Sequence, residues 1–174
     1  GMAITIDDAA ISLVNPPETI VLKELAVDAD LSGSHALHLN AKAKIATDKN
    51  PIGSLNVEAQ VKDLSDPAET TVSATLDIAD TTQVASIAGV DPGMLGVMLG
   101  PSANINVAVS PPASSNAAMV IAGTVKSPRA DGRFQADLAE ALVTSAKMDF
   151  TTKLVPGDLE KALGSDSTIR LKND

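Results

Sequence analysis

Few side chains in this sequence are suited to chemistry. His35 and His38 are the only histidines, and Ser34 precedes the first of them. A serine beside a histidine suggests a nucleophile with its base, and two close histidines suggest half a metal site. Three residues apart on or next to a strand, the two rings point to opposite faces. His38 alternates with apolar neighbours in the same polar set as Asn40 and Lys42, so it reads as a surface histidine. Asp28-x-Asp30-x-Ser32-Gly33 has the opening of a calcium loop, yet Leu39 stands where the bidentate glutamate belongs. Val27, Ala29 and Leu31 alternate with those aspartates, which therefore read as the solvated face of a strand. No glycine-rich phosphate loop, Gly-x-Ser-x-Gly elbow or His-Glu-x-x-His stands in the sequence. The expectation is no catalytic residue, no metal site, no cofactor and no enzyme. A hydrolase would require His35 or His38 to converge with a serine and a carboxylate in a cleft.

Composition narrows the partners. The chain has 174 residues, room for one ordinary domain, and is read as a single β-rich domain over 2–174. Lys+Arg 13 against Asp+Glu 22 gives a net charge of −9, which disfavours nucleic acid and anionic membrane surfaces. Only Phe134 and Phe150 are aromatic, so stacking platforms for bases and sugars are missing. Without cysteine there is no disulfide framework, thiol nucleophile or zinc–thiolate centre. The uncharged run Pro92–Val125 is broken by Pro101, Pro111 and Pro112 and does not read as a transmembrane helix.

The elements that would position any site are mostly strands. Leu37, Leu39, Ala41, Ala43 and Ile45 point one way, and His38, Asn40, Lys42 and Lys44 the other. The alternation resumes at Leu55–Val61, at Val72–Ile78 and at Ala103–Val109. Ile4/Ile6, Ile11/Leu13, Ile20/Leu22 and Leu25–Leu31 predict four shorter strands. One apolar and one wet face on every strand predict an antiparallel sheet.

Helical signals are short. Asp80 with Gln83 three residues later starts a helix through about Ile87. Asp91-Pro92 is a cap with proline at the first helical position, and Gly100 ends that helix. A third is expected over 156–164. The last two align at an offset of 64, with Pro92-Gly93, Leu95, Leu99-Gly100 and Ile105/Val107 against Pro156-Gly157, Leu159, Leu163-Gly164 and Ile169/Leu171. Upstream, the Ser73–Ile78 strand matches Ser145–Phe150 at an offset of 72. This predicts two tandem strand-strand-strand-helix-strand units over about 37–109 and 117–172, with 3–31 a partial preceding unit. The whole is expected to be a mainly β (α+β) fold, a curved antiparallel sheet with short helices covering its apolar face.

The uncharged stretch holds the candidate ligand residues. Met94, Leu95, Met98, Leu99 and Met119 stand there among small Ala, Val and Gly residues. Flexible methionines suit an adaptable groove for a greasy ligand. The alternative is that the same residues close a dry core in a structural or protein-interaction module, whose open sheet edges favour self-association.

The stretches ITIDDAAISLVNPPETIVLKELAVDADLSG, ALHLNAKAKIA and GSLNVEAQVKDL resemble AsmA-like and TamB-like bacterial envelope proteins. DLEKALG and GMLGVMLGPSANINVAV are similar to helix-and-strand inserts in those chains. The resemblance implies a non-catalytic segment of a longer, repetitive protein in the bacterial periplasm or cell envelope. It also implies lipid, or a membrane-assembly protein, as partner in outer-membrane assembly or lipid movement.

Overall fold

The computed structural model describes residues 2–15, 18–32, 35–47, 50–65, 69–111, 119–139, 142–155 and 157–158. Among these residues nine antiparallel strands form one sheet in sequence order: β1 (Met2–Asn15), β2 (Glu18–Ser32), β3 (Ala36–Thr47), β4 (Pro51–Val61), β5 (Thr71–Ile78), β6 (Ala103–Ser110), β7 (Met119–Lys126), β8 (Ala130–Ala139) and β9 (Leu142–Thr152). Two helices, α1 (Thr81–Ala88) and α2 (Pro92–Leu99), lie between β5 and β6. Among the described residues the sheet does not close, and β1 and β9 stand at its two ends. The fold is mainly β, as the alternation predicts. Each strand pairs with the next, the expected outcome where connections are short, and β6 returns to β5 after the two helices.

The first two strands depart from the expectation. Four short strands were predicted over residues 4–31; the chain forms two long ones, each broken by a bulge. Register shifts fall between Ile6 and Ala9 on β1 and between Lys23 and Ala26 on β2. Asp8 (φ 55) and Glu24 (φ 50) adopt the left-handed backbone that places an extra residue in the ladder. One extra residue reverses the parity of the alternation, so an even set (Ile4, Ile6) passes into an odd set (Ile11, Leu13) without ending the strand.

The register lines up apolar residues across the sheet. One row runs Ile6, Val27, Ala41, Val57, Ala74, Val107, Gly123, Phe134 and Met148. A second runs Ile4, Ala29, Leu39, Ala59, Val72, Val109, Ile121, Ala136 and Ala146. The opposite face is polar. There Thr75, Asn106, Asn104 and Asp77 form a hydrogen-bonded chain across β5 and β6, with contacts of 2.8, 2.5 and 2.5 Å.

Among the described residues the buried apolar side chains are Ala43, Ala46, Ile52, Ile78, Ala85, Ala103 and Ala130. They gather at one end of the sheet, beside the helices. The β3–β4 turn closes there through Thr47 N–H donating to Asn50 (2.8 Å), and a bulge at Ile52 brings Ala79 N–H onto the Ile52 carbonyl (2.8 Å). Gly53 follows that bulge, and a Cβ on it would overlap the Asp77 carbonyl oxygen.

The predicted third helix begins at Gly157–Asp158, and its remainder lies outside the described residues. So does the return strand expected at Ile169/Leu171.

Candidate apolar groove

The helix pair is held by its caps. Asp80 Oδ1 accepts from the N–H groups of Thr82 (2.9 Å) and Gln83 (3.2 Å) and from the Thr82 hydroxyl (2.6 Å). The Thr82 hydroxyl, then the backbone donors of Gln83 and Thr82, hold the Asp80 carboxyl below its ordinary range despite partial desolvation. Gly89 (φ 68) ends α1 in the left-handed conformation. Asp91 Oδ1 accepts from Met94 N–H at 2.7 Å, Pro92 opens α2, and Gly100 closes it.

Polar ties fix α2 to the sheet end. Thr81, fully buried, donates its hydroxyl to the Gly100 carbonyl at 2.5 Å. Arg129 Nη1 donates to the Val97 carbonyl (3.4 Å), while its Nη2 meets Asp158 Oδ2 at 2.9 Å. Thr152 donates to the Met98 carbonyl at 3.0 Å. Thr152 follows Met148 and Phe150 in the alternation of β9, which places α2 on the apolar side of the sheet.

α2 reads Pro-Gly-Met-Leu-Gly-Val-Met-Leu, and none of these residues is buried. Met94 is exposed; Leu95, Met98 and Leu99 are half-buried. Four of the five candidate residues therefore lie together on one short helix. Met119 does not join them. It starts β7, opposite Leu138, at the far end of the apolar face. Seven residue steps of strand, about 23 Å, separate it from the helix end.

The register assembles residues that the helix-centred reading passed over. A third row, Ala43, Leu55, Leu76, Ile105, Val125, Gly132 and Phe150, crosses the sheet nearest the helix end. Both aromatic rings of the chain lie over cross-strand glycines. Phe134 Cε1 would be 2.6 Å from a Cβ on Gly123, and Phe150 Cδ2 2.5 Å from one on Gly132. Cross-strand pairing of a ring with a glycine fills the gap left by the missing side chain and pins the register. Toward the edges the apolar residues are open: Ile6 is 45 % exposed on β1, and Met148 is 76 % exposed on β9. Phe134-x-Ala136 and Met148-x-Phe150 show the alternation in the sequence, but only pairing reveals what they meet.

Of the residues weighed for chemistry, His38, Asp28 and Asp30 lie on the other face; His35 is exposed in the turn before β3, and Ser34 lies outside the described residues. His38 Nε2 is 3.1 Å from Glu58 Oε1 in an exposed cross-strand pair. Asp28 and Asp30 sit within β2, opposite Asn40 and His38, in a strand and not in a calcium loop. Among the described residues no three His, Asp or Glu side chains are grouped to hold a metal ion. No helix is long and apolar enough to cross a membrane among those residues.

Comparison with protein-family models, with curated proteins and with solved structures returns no match.

Proposed function

We propose that the apolar face of the open sheet, ended by α2, is a non-catalytic groove that shelters lipid acyl chains. One observation carries the reading: three in-register apolar rows cross the sheet, yet the apolar side chains buried among the described residues are five alanines and two isoleucines at one end. With strands about 4.8 Å apart and rows about 6.7 Å apart, the two longest rows run about 38 Å and the three together span about 13 Å along the strands. An apolar patch above a few hundred Å² marks a binding surface in a soluble protein. Small residues in the middle row (Ala41, Ala74, Gly123) leave a shallow floor, and Met94, Met98 and Met148 supply adaptable rims.

The envelope setting follows from the resemblance to AsmA-like and TamB-like chains, in which an apolar β-groove serves outer-membrane assembly or lipid movement. On this reading the segment belongs to a longer bacterial periplasmic or envelope protein. The matching order of β3–β4–β5 and β7–β8–β9, each followed by a helical start, supports tandem units in a sheet that curves around its ligand.

Native mass spectrometry of freshly purified protein, with organic extraction, tests the proposal. A discrete added mass that extracts as lipid is expected. A clean mass that stays clean after incubation with phospholipid would refute it and favour a closed structural or protein-interaction module.

A further inference from the structure

The geometry points to a binding site on the polar face, a cleft that takes a small polyhydroxylated anion: a sugar or polyol bearing a carboxylate or phosphate. Its floor is one register row, Lys44, Ser54, Asp77, Asn104 and Lys126, with one residue from each strand of β3 to β7. The adjoining residues Ala43, Leu55, Leu76, Ile105 and Val125 form the third apolar row, so the floor faces the other way. Pro51, Ser102 and Pro128, at the strand ends, supply the wall. The cleft measures about 680 Å³, a size that suits a small-molecule ligand. It lies on the opposite side of the sheet from the proposed groove and holds whatever covers the apolar face.

An oriented hydrogen-bond chain fixes the centre of the floor. Thr75 donates to Asn106 Oδ1 (2.8 Å), Asn106 Nδ2 to Asn104 Oδ1 (2.5 Å), and Asn104 Nδ2 to Asp77 Oδ1 (2.5 Å). Every donor points toward Asp77, so the chain ends on a carboxylate. It uses one amide hydrogen of Asn104 and one oxygen of Asp77; the second hydrogen and Oδ2 can serve a ligand. Hydroxyl groups, each both donor and acceptor, match these atoms and the Ser54 and Ser102 hydroxyls beside them. Charge sets the ligand's other end. Lys44 Nζ is held by Glu24 of β2, 2.6 Å from Oε2. Lys126 bounds the opposite side, two strand spacings or about 10 Å from Asp77. The turn after it is braced by Ser127 N–H donating to the Ala130 carbonyl and Ala130 N–H to the Ser127 hydroxyl, both at 2.8 Å. Asp77 repels an anion and Lys126 attracts one, so the acidic group sits over β7 and the hydroxyls over β5 and β6. The ligand's C–H surfaces rest on Pro51, Ala79 and Pro128, since no ring lines the cleft among the described residues.

An NMR titration that follows the backbone amides of the full chain tests the site, with glucuronate, inositol monophosphate and uncharged glucose as probes. Both anions should shift the amides around Asp77, Asn104 and Lys126 saturably, and glucose should bind several-fold more weakly. The tighter anion tells a carboxylate ligand from a phosphate one. Lys126→Ala should weaken both anions by about fivefold and leave glucose unchanged, the effect of one exposed charge pair. Asp77→Asn, which keeps the acceptor for Asn104, should weaken all three probes. Lys147→Ala, on β9 and away from the cleft, should change none of them. All three positions are exposed, and far-UV circular dichroism confirms that the variants fold. The proposal is overturned if neither anion gives a saturable shift or if glucose binds as tightly as the anions. It is equally overturned if Lys126→Ala and Lys147→Ala lose the same affinity, or if Asp77→Asn loses none.

Discussion

Replacing Gly123 with alanine probes the floor of the apolar face directly. The new Cβ would lie 2.6 Å from the Asn106 carbonyl oxygen and 2.6 Å from Phe134 Cε1. Non-bonded carbons prefer about 3.5–4.0 Å, so each contact falls short by about 1 Å. The ring can swing outward; the carbonyl belongs to β6, whose ladder with β7 holds it. Overpacking of this kind costs about 1–3 kcal/mol, offset by about 0.4–1 kcal/mol from the stiffer unfolded chain. A net loss of about 1–2 kcal/mol corresponds to about 2–8 °C in melting temperature for a chain of this size. Thermal and urea denaturation of Gly123→Ala, Phe134→Ala and the double variant form the test. In the Phe134→Ala background the alanine should cost less by about 0.5–1 kcal/mol, because only the carbonyl clash remains. A Gly123→Ala protein as stable as the parent, or the same cost in both backgrounds, would refute the packing of ring on glycine.

Two further perturbations address the helix end. Asp80→Ala removes the acceptor for Thr82 and Gln83 N–H and should cost about 1 kcal/mol in a urea titration. The Asp80 carboxyl is held below the ordinary aspartate value, so its stabilisation is present above that ordinary value and lost as pH falls through the lower folded one. Asp80→Asn should therefore flatten the acid-side decline of the unfolding midpoint, and an unchanged slope would count against the cap. Arg129→Ala removes the contacts to the Val97 carbonyl and Asp158. That ion pair is one-third exposed, so global stability should fall by less than about 1 kcal/mol. Amide exchange in the last turn of α2 should nevertheless quicken, and unaltered exchange would show that Arg129 does not hold the helix.

The legible parts of the fold are those set by near neighbours in sequence. Asp80, Asp91 and Gly100 mark the helix ends because capping involves residues within one turn, and the chain places each where the pattern requires. Strand faces are legible from Leu37 onward for the same reason. Over 4–31 the reading fails because a bulge and a strand end leave the same trace, a change of parity, and only the partner strand tells them apart. The candidate site shows the same limit. Met94, Met98 and Met119 share an uncharged stretch, but β6 intervenes and carries the chain to the opposite end of the sheet, where Met119 starts β7.

The character of α2 ties these observations together. A helix that is apolar all round belongs in a core or against a non-aqueous partner. Here it is eight residues long, buries none of them, and is fastened by backbone-directed bonds from Thr152 and Arg129. α1 buries Thr81 and Ala85, as a small amphipathic helix should, and shields only the sheet end. Neither helix is long enough to cover rows that span nine strands. The two aromatic rings that might have built a core lie instead over Gly123 and Gly132, flattening the sheet surface. Every device on the apolar side smooths or borders that surface, and none closes it among the described residues. An exposed apolar surface of this extent marks an interaction site, which is why lipid extraction is the measurement that bears most directly on the proposed groove.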